Sequence, residues 1–131
     1  MREQSVFTKI VNGEIPSHKI YEDERTLAFL DVFPTVEGHT LVIPKNQVEF
    51  LWDLDDEDYA AVRDTAKKVA KRLQEVLGTK YIGEKVIGTD VPHAHIHLVP
   101  FDDPATYQKA HADNTEPDHE KLAALAKRLA F

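Results

Sequence analysis

Three histidines take alternate positions in the run VPHAHIHLVP, residues 91–100, separated by apolar residues and closed by a proline. On an extended strand residues i, i+2 and i+4 share a face, so His93, His95 and His97 are expected to point one way and Ala94, Ile96 and Leu98 into the core. A rise of about 3.3 Å per residue sets the outer two α-carbons roughly 13 Å apart, too far for all three rings to ligate one metal comfortably. A zinc held here takes two of them and needs ligands from elsewhere. The spacing suits a row of rings acting on an extended group, with His95 at its centre.

Imidazole titrates near neutral pH, so one ring can be a neutral nucleophile while its neighbours donate N–H groups to an anion's oxygens. A phosphate ester or phosphoramidate fits such a row. Attack by the middle ring gives a phosphorus–nitrogen intermediate that water then hydrolyses, dividing one difficult displacement into two easier ones. On the pattern alone two other readings stay open: a solvent-facing edge strand on which histidine recurs, and a metal-binding protein using His93, His95 and His39.

The remaining elements must hold this row in place. The chain has 131 residues and is 42% hydrophobic, enough for one sizeable core and short for two. The first ten residues, MREQSVFTKI, lack the apolar centre of a secretory signal, and no run approaches the length of a bilayer span. A soluble protein is expected, with the cytoplasm as default location. Without cysteine there is no disulfide and no thiolate chemistry. A net charge of −7 disfavours duplex nucleic acid but not a nucleotide, since a few converging donors can hold one phosphate.

Residues 5–12 read as a short helix ended by Gly13, a lid or wall and not core. HKIYE (18–22) and TLAFLDV (26–32) read as a hairpin around Asp23-Glu24-Arg25, and HTLVIP (39–44) as a central strand ended by Pro44. From Asp53 the period changes: Tyr59, Val62, Ala66, Val69, Leu73 and Val76 lie on one face of a long helix followed by Gly78, with Lys67, Lys68, Lys71 and Glu75 on its solvated side. Strands follow at 79–88 and 93–100, joined by the short connection Thr89–Pro92. Beyond Pro100 the chain turns polar until Thr115 and Asp118 introduce a last helix bearing Leu122, Leu125 and Leu129. The order implies an α+β domain, a mainly antiparallel sheet with one long helix packed across it. Residues 1–101 form the catalytic unit and 102–131 an extension with a terminal helix docked on the same domain.

His93-Ala94-His95-Ile96-His97-Leu98-Val99 resembles the signature of the histidine triad family. VFTKIVNGEIPSHKIYED (6–23) and LAFLDVFPTVEGHTLVIPK (27–45) extend the likeness, so that about residues 5–101 are covered. The branch it most resembles is the Hint-like one, whose members hydrolyse purine nucleoside phosphoramidates and related nucleotide conjugates. The resemblance implies that His95 is transiently nucleotidylated and that His93 and His97 position it and contact the phosphate. His39 matches the family's fourth histidine. It further implies that Phe7, Ile10, Phe29 and Val32 hold the base, that Asp31 accepts from the ribose hydroxyls, that Gly88 and Asp90 lie at the phosphate side, and that the protein works as a homodimer built partly on the long helix. No cofactor is implied. A nucleotide-binding module with weak or no catalysis is the alternative.

Each assignment has a plainer counterpart. Phe7, Ile10, Phe29 and Val32 suit an ordinary core, Asp31 a turn before Pro34, and His39 a structural role; His18, His111 and His119 read as solvated. Departures from the family are informative. Where many bacterial relatives carry a Cys-x-x-Cys pair and a further histidine that help hold a structural zinc, this chain has Ser5, Thr8 and Gln47, neutral donors that bind zinc poorly, so no metal is expected. Before the triad stands Gly88-Thr89-Asp90-Val91 in place of a Gly-Gln-Ser/Thr. Asp90 either turns outward or, facing the site, repels the phosphate or favours a positively charged leaving group. The family's polar contact farther upstream falls at Ile82.

Overall fold

A computed structural model describes residues 3–108 and 116–131, with side chains to 106 and from 116. The expectations for His111 and Thr115 lie outside the described residues. Helix α1 (Val6–Val11) is followed by β1 (Lys19–Glu22), β2 (Thr26–Leu30), β3 (Thr40–Pro44), α2 (Asp56–Leu77), β4 (Tyr81–Lys85), β5 (Ile96–Phe101), α3 (Pro104–Gln108) and α4 (His119–Leu129). The strands form one antiparallel sheet in the order β1-β2-β3-β5-β4. This is the α+β architecture expected.

The sheet is covered on both faces, which is why β2 and β3 are buried at every residue. Ala28, Leu30, Val42, Ile96 and Leu98 face one way, into a cluster with Val62, Ala66, Val69 and Leu73 of α2 and Leu122, Leu125, Ala126 and Leu129 of α4. Their alternates Leu27, Phe29, Leu41 and Ile43 face the other way and pack with Phe7 and Ile10 of α1. Helix α1 is therefore core as well as wall, contrary to the sequence reading: two side chains one helical turn apart fill the second face.

Helix α2 starts three residues later than the sequence pattern suggests. Leu51–Asp53 form a separate 3-10 turn, and the Asp55 side chain caps the helix by accepting from the Asp58 N–H. Its end is as expected, with Gly78 at φ 73°. The final helix does more than dock. Its leucines complete the main core, and the Arg72 guanidinium donates to the carbonyls of Leu129, Arg128 and Ala130, satisfying the helix's last acceptors. The Phe131 N–H then donates to the Ile20 carbonyl, fixing the chain end to β1.

Two expectations about the triad region change. Strand β4 ends at Lys85 and β5 begins at Ile96, so the intervening connection spans ten residues and His93 and His95 precede the strand. Strand β5 pairs on both sides, with β3 and β4, and the solvent-facing edge reading is excluded. The short helix α3 had no sequence signal because five residues are too few to show a period; the Asp103 carboxylate accepts from the Ala105 N–H at its start.

Candidate functional site

The histidines lie on the α1 face of the sheet. Leu41 opposes His97 in the β3–β5 register, and the Phe7 ring meets His95 edge-on at 5.1 Å and His93 at 5.8 Å between centroids. Ala94, Ile96 and Leu98 are buried on the opposite side as the alternation requires.

Hydrogen bonds fix which nitrogen of each neutral ring carries the proton. His95 Nδ1 is 2.7 Å from the His93 carbonyl, which can only accept, so Nδ1 holds the proton and Nε2 is left with a free lone pair. At His39 the Thr35 N–H donates to Nδ1 at 3.1 Å; its Nε2–H therefore donates to His97 Nδ1 at 3.0 Å. The proton of neutral His97 is then on Nε2. A nucleophilic nitrogen and an N–H donor stand on adjacent rings whose centroids are 5.0 Å apart. Burial pushes His97 down to about 4, with further lowering by the fields of His95 and Lys85 and partial opposition from Asp90. His97 is thus neutral at physiological pH. Burial likewise lowers His93, opposed by its bond to Pro44.

His93 itself is wholly enclosed, at 0% exposure. Its Nε2–H donates to the Pro44 carbonyl at 2.8 Å, and its Nδ1 accepts from the Ser5 hydroxyl at 2.7 Å. With both ring nitrogens engaged, it has none for a phosphate; its carbonyl orients His95 instead. Ser5 also caps α1, accepting from the Thr8 N–H, while Gln47 Oε1 accepts from the Thr8 hydroxyl and the Ser5 N–H. Ser5, Thr8 and Gln47 thus surround His93 as one hydrogen-bonded set. Hydroxyl and amide donors already spent on one another do not fit zinc.

Two cavities meet at the row. One, of about 380 Å³, is lined by Phe7, Ile10, Phe29, Val32, His95 and other largely apolar residues. The other, of about 370 Å³, is lined by Thr35, His39, Lys85 and Ile87. Asp31, Phe33, Asp90 and His97 border both. Asp90 is solvent-exposed yet faces the site, where its charge acts on His97. Asp31 accepts from the Phe33 N–H at 2.8 Å and approaches His39 Nε2 to 3.7 Å. Gly88, at φ 81°, lines neither cavity.

Among the described residues, the ligand atoms that come within 4.8 Å of one another belong to Asp31, His39 and His97, not to His93, His95 and His39 as the metal reading required. The His39–His97 hydrogen bond occupies two of them. A second correction concerns β4: Ile82 packs against the main core, and Lys85, paired with His97 across β4–β5, is the residue this strand turns to the site. The sequence offered only a charge among strand residues; the register that sets it opposite His97 follows from the length of the intervening loop.

The HIT domain model matches residues 12–103. The chain belongs to the HIT family. It is 36% identical to adenosine 5'-monophosphoramidase HNT1 of Saccharomyces cerevisiae, over 95% of this chain and 79% of that protein. It is 38% identical to Protein hit of Bacillus subtilis, over 98% and 96%. Among solved structures, a Hit-like protein from Bartonella henselae superimposes with a TM-score of 0.82 at 29% identity, covering 98% and 95% of the two chains. The triad segment of this HIT protein lies inside the matched region. Among its described residues no helix is long and apolar enough to cross a membrane.

Proposed function

We propose that this protein hydrolyses purine nucleoside phosphoramidates or related nucleotide conjugates at the α-phosphate, through a nucleotidyl-His95 intermediate. The supporting observation is the His93 carbonyl: by holding the proton on His95 Nδ1 it leaves the Nε2 lone pair directed to chemistry. Phosphorus bonds to Nε2 as the bond to the leaving nitrogen breaks, and the departing amine takes its proton from solvent. Water then cleaves the phosphorus–nitrogen bond and restores His95. His97 Nε2–H donates to a phosphate oxygen, and His39 keeps His97 in the tautomer that can do so. His93 is a positioning residue.

The apolar cavity takes the base between Phe7, Ile10, Phe29 and Val32, with Asp31 at the ribose and Asp90 beside the phosphate. Gly88 serves only the bend of the loop that carries Asp90. The catalytic unit is residues 1–101, and 102–131 form an extension on the same domain. The working form is a homodimer, to be read by sedimentation equilibrium.

The test is a fluorogenic AMP–amine conjugate, assayed with and without chelator. Turnover insensitive to chelator and lost in His95→Ala supports the reading; no turnover, or turnover lost to chelator and normal in His95→Ala, overturns it. Asp90, an anion at an anion's site, favours one alternative, a nucleotide-binding module. AMP binding without turnover by the wild-type protein selects that.

A further inference from the structure

Lys85 is a cation beside the histidine row that the function above leaves unused. In the β4–β5 register it is the partner of His97, and directly paired residues project to the same face. It is partly buried and lines the second cavity with His39, His97 and Asp90. Lys19, Arg25, Lys45, Arg63 and Arg72 are all in ion pairs; among the described residues Lys85 is in none. A partly desolvated ammonium with no anionic partner suits an anionic ligand.

The position of the cavity says which part of a substrate meets it. His95 borders the apolar cavity but not the second one, whereas His97, Asp31, Phe33 and Asp90 border both. A nucleotide with its base in the apolar cavity and phosphorus at His95 therefore continues past His97 into the second cavity. What continues is the leaving group. Two unlike charges await it there, Asp90 at the junction and Lys85 opposite His97, with Phe33 and Ile87 providing apolar surface.

We propose that the second cavity is a leaving-group subsite for an amine that carries an oxyanion, Lys85 holding the oxyanion and Asp90 facing the departing nitrogen. Lys85 is then a specificity residue. A carboxylate or a phosphate on the amine satisfies the same chemistry, and a neutral amine leaves Lys85 without a partner. This inference rests on the function proposed above.

The experiment compares adenosine 5'-phosphoramidates of glycine and glycinamide, which differ in the carboxylate charge alone, and a phosphoethanolamine conjugate as the phosphate arm. Wild-type protein prefers one or both anionic conjugates in kcat/KM, and Lys85→Met reduces the anion-to-amide ratio about tenfold, as expected for loss of a charge-assisted hydrogen bond. Lys85→Arg restores the ratio. A merely structural role lowers all substrates together and leaves the ratio unchanged, which overturns the inference. Wild-type turnover of the amide without preference for either anion overturns it too, leaving the phosphoramidase reading in place. Turnover of none overturns both.

Discussion

Acid should destabilise this fold through His97 in particular. In the folded protein His97 is pushed down to about 4, mainly by burial, from an ordinary 6.5 in the unfolded chain. The unfolded state therefore binds this proton first, and the sign follows: stability is unaffected well above pH 6.5, falls as pH drops through the window from 6.5 to 4, and reaches its full loss below it. Integrating over that window gives about 2.5 kcal/mol between pH 7.5 and 4.5 as the upper bound, and solvent screening of the partly exposed ring leaves about 1–2 kcal/mol from this ring alone. His93 shifts in the same direction, so the total loss is larger, and carboxylates add their own terms. Comparison with His97→Gln removes those shared contributions. Urea unfolding of both proteins at the two pH values measures the quantity directly: the wild type should lose about 1–2 kcal/mol more than the variant. Equal losses would refute the burial argument, and with it the neutral His97 on which the assignment of its Nε2–H donor depends.

Two further perturbations test the frame that carries the site. Gly38 has φ 89°, and a β-carbon there would lie 2.5 Å from Leu77 Cδ1 and 3.1 Å from Pro100 Cγ, so Gly38→Ala should cost about 2–4 kcal/mol in urea unfolding and lower activity through the adjoining His39. Leu129 is fully buried where α4 meets α2, and Leu129→Ala should cost about 2–5 kcal/mol in the same assay; a loss under 1 kcal/mol would show that α4 is not part of the main core.

Periodicity located β1, β2, β3, α2 and α4 because each has enough residues to display a repeat and a residue that ends it, as Gly78 does for α2. The family likeness directed attention to Phe7 and Phe29, which periodicity alone assigns to core, and to His39, which by itself suits a structural role; all three are buried, and they also border the cavities. What local pattern could not supply was long-range pairing. That Ser5 and Thr8 bond to His93, 88 and 85 residues away, follows from α1 folding over the sheet. The choice of Lys85 over Ile82 depends on β4–β5 register, and a one-residue slip would exchange their faces. The partners of His93 lie beyond local pattern for a related reason: alternation tells which rings share a side but not which ring nitrogens the Pro44 carbonyl and Ser5 hydroxyl occupy. His18 and His119, which read as solvated, lie on an exposed part of the surface with ring nitrogens 2.8 Å apart, a contact made only when α4 closes on the chain before β1.

The most direct measurement is to quench the protein with an adenosine phosphoramidate during turnover, at a pH where phosphohistidine survives, and map the adduct by mass spectrometry. An adenylyl group on the peptide containing His95, absent in His95→Ala and present in His97→Gln, is the predicted result. Turnover with no adduct, or an adduct on any other residue, contradicts the account.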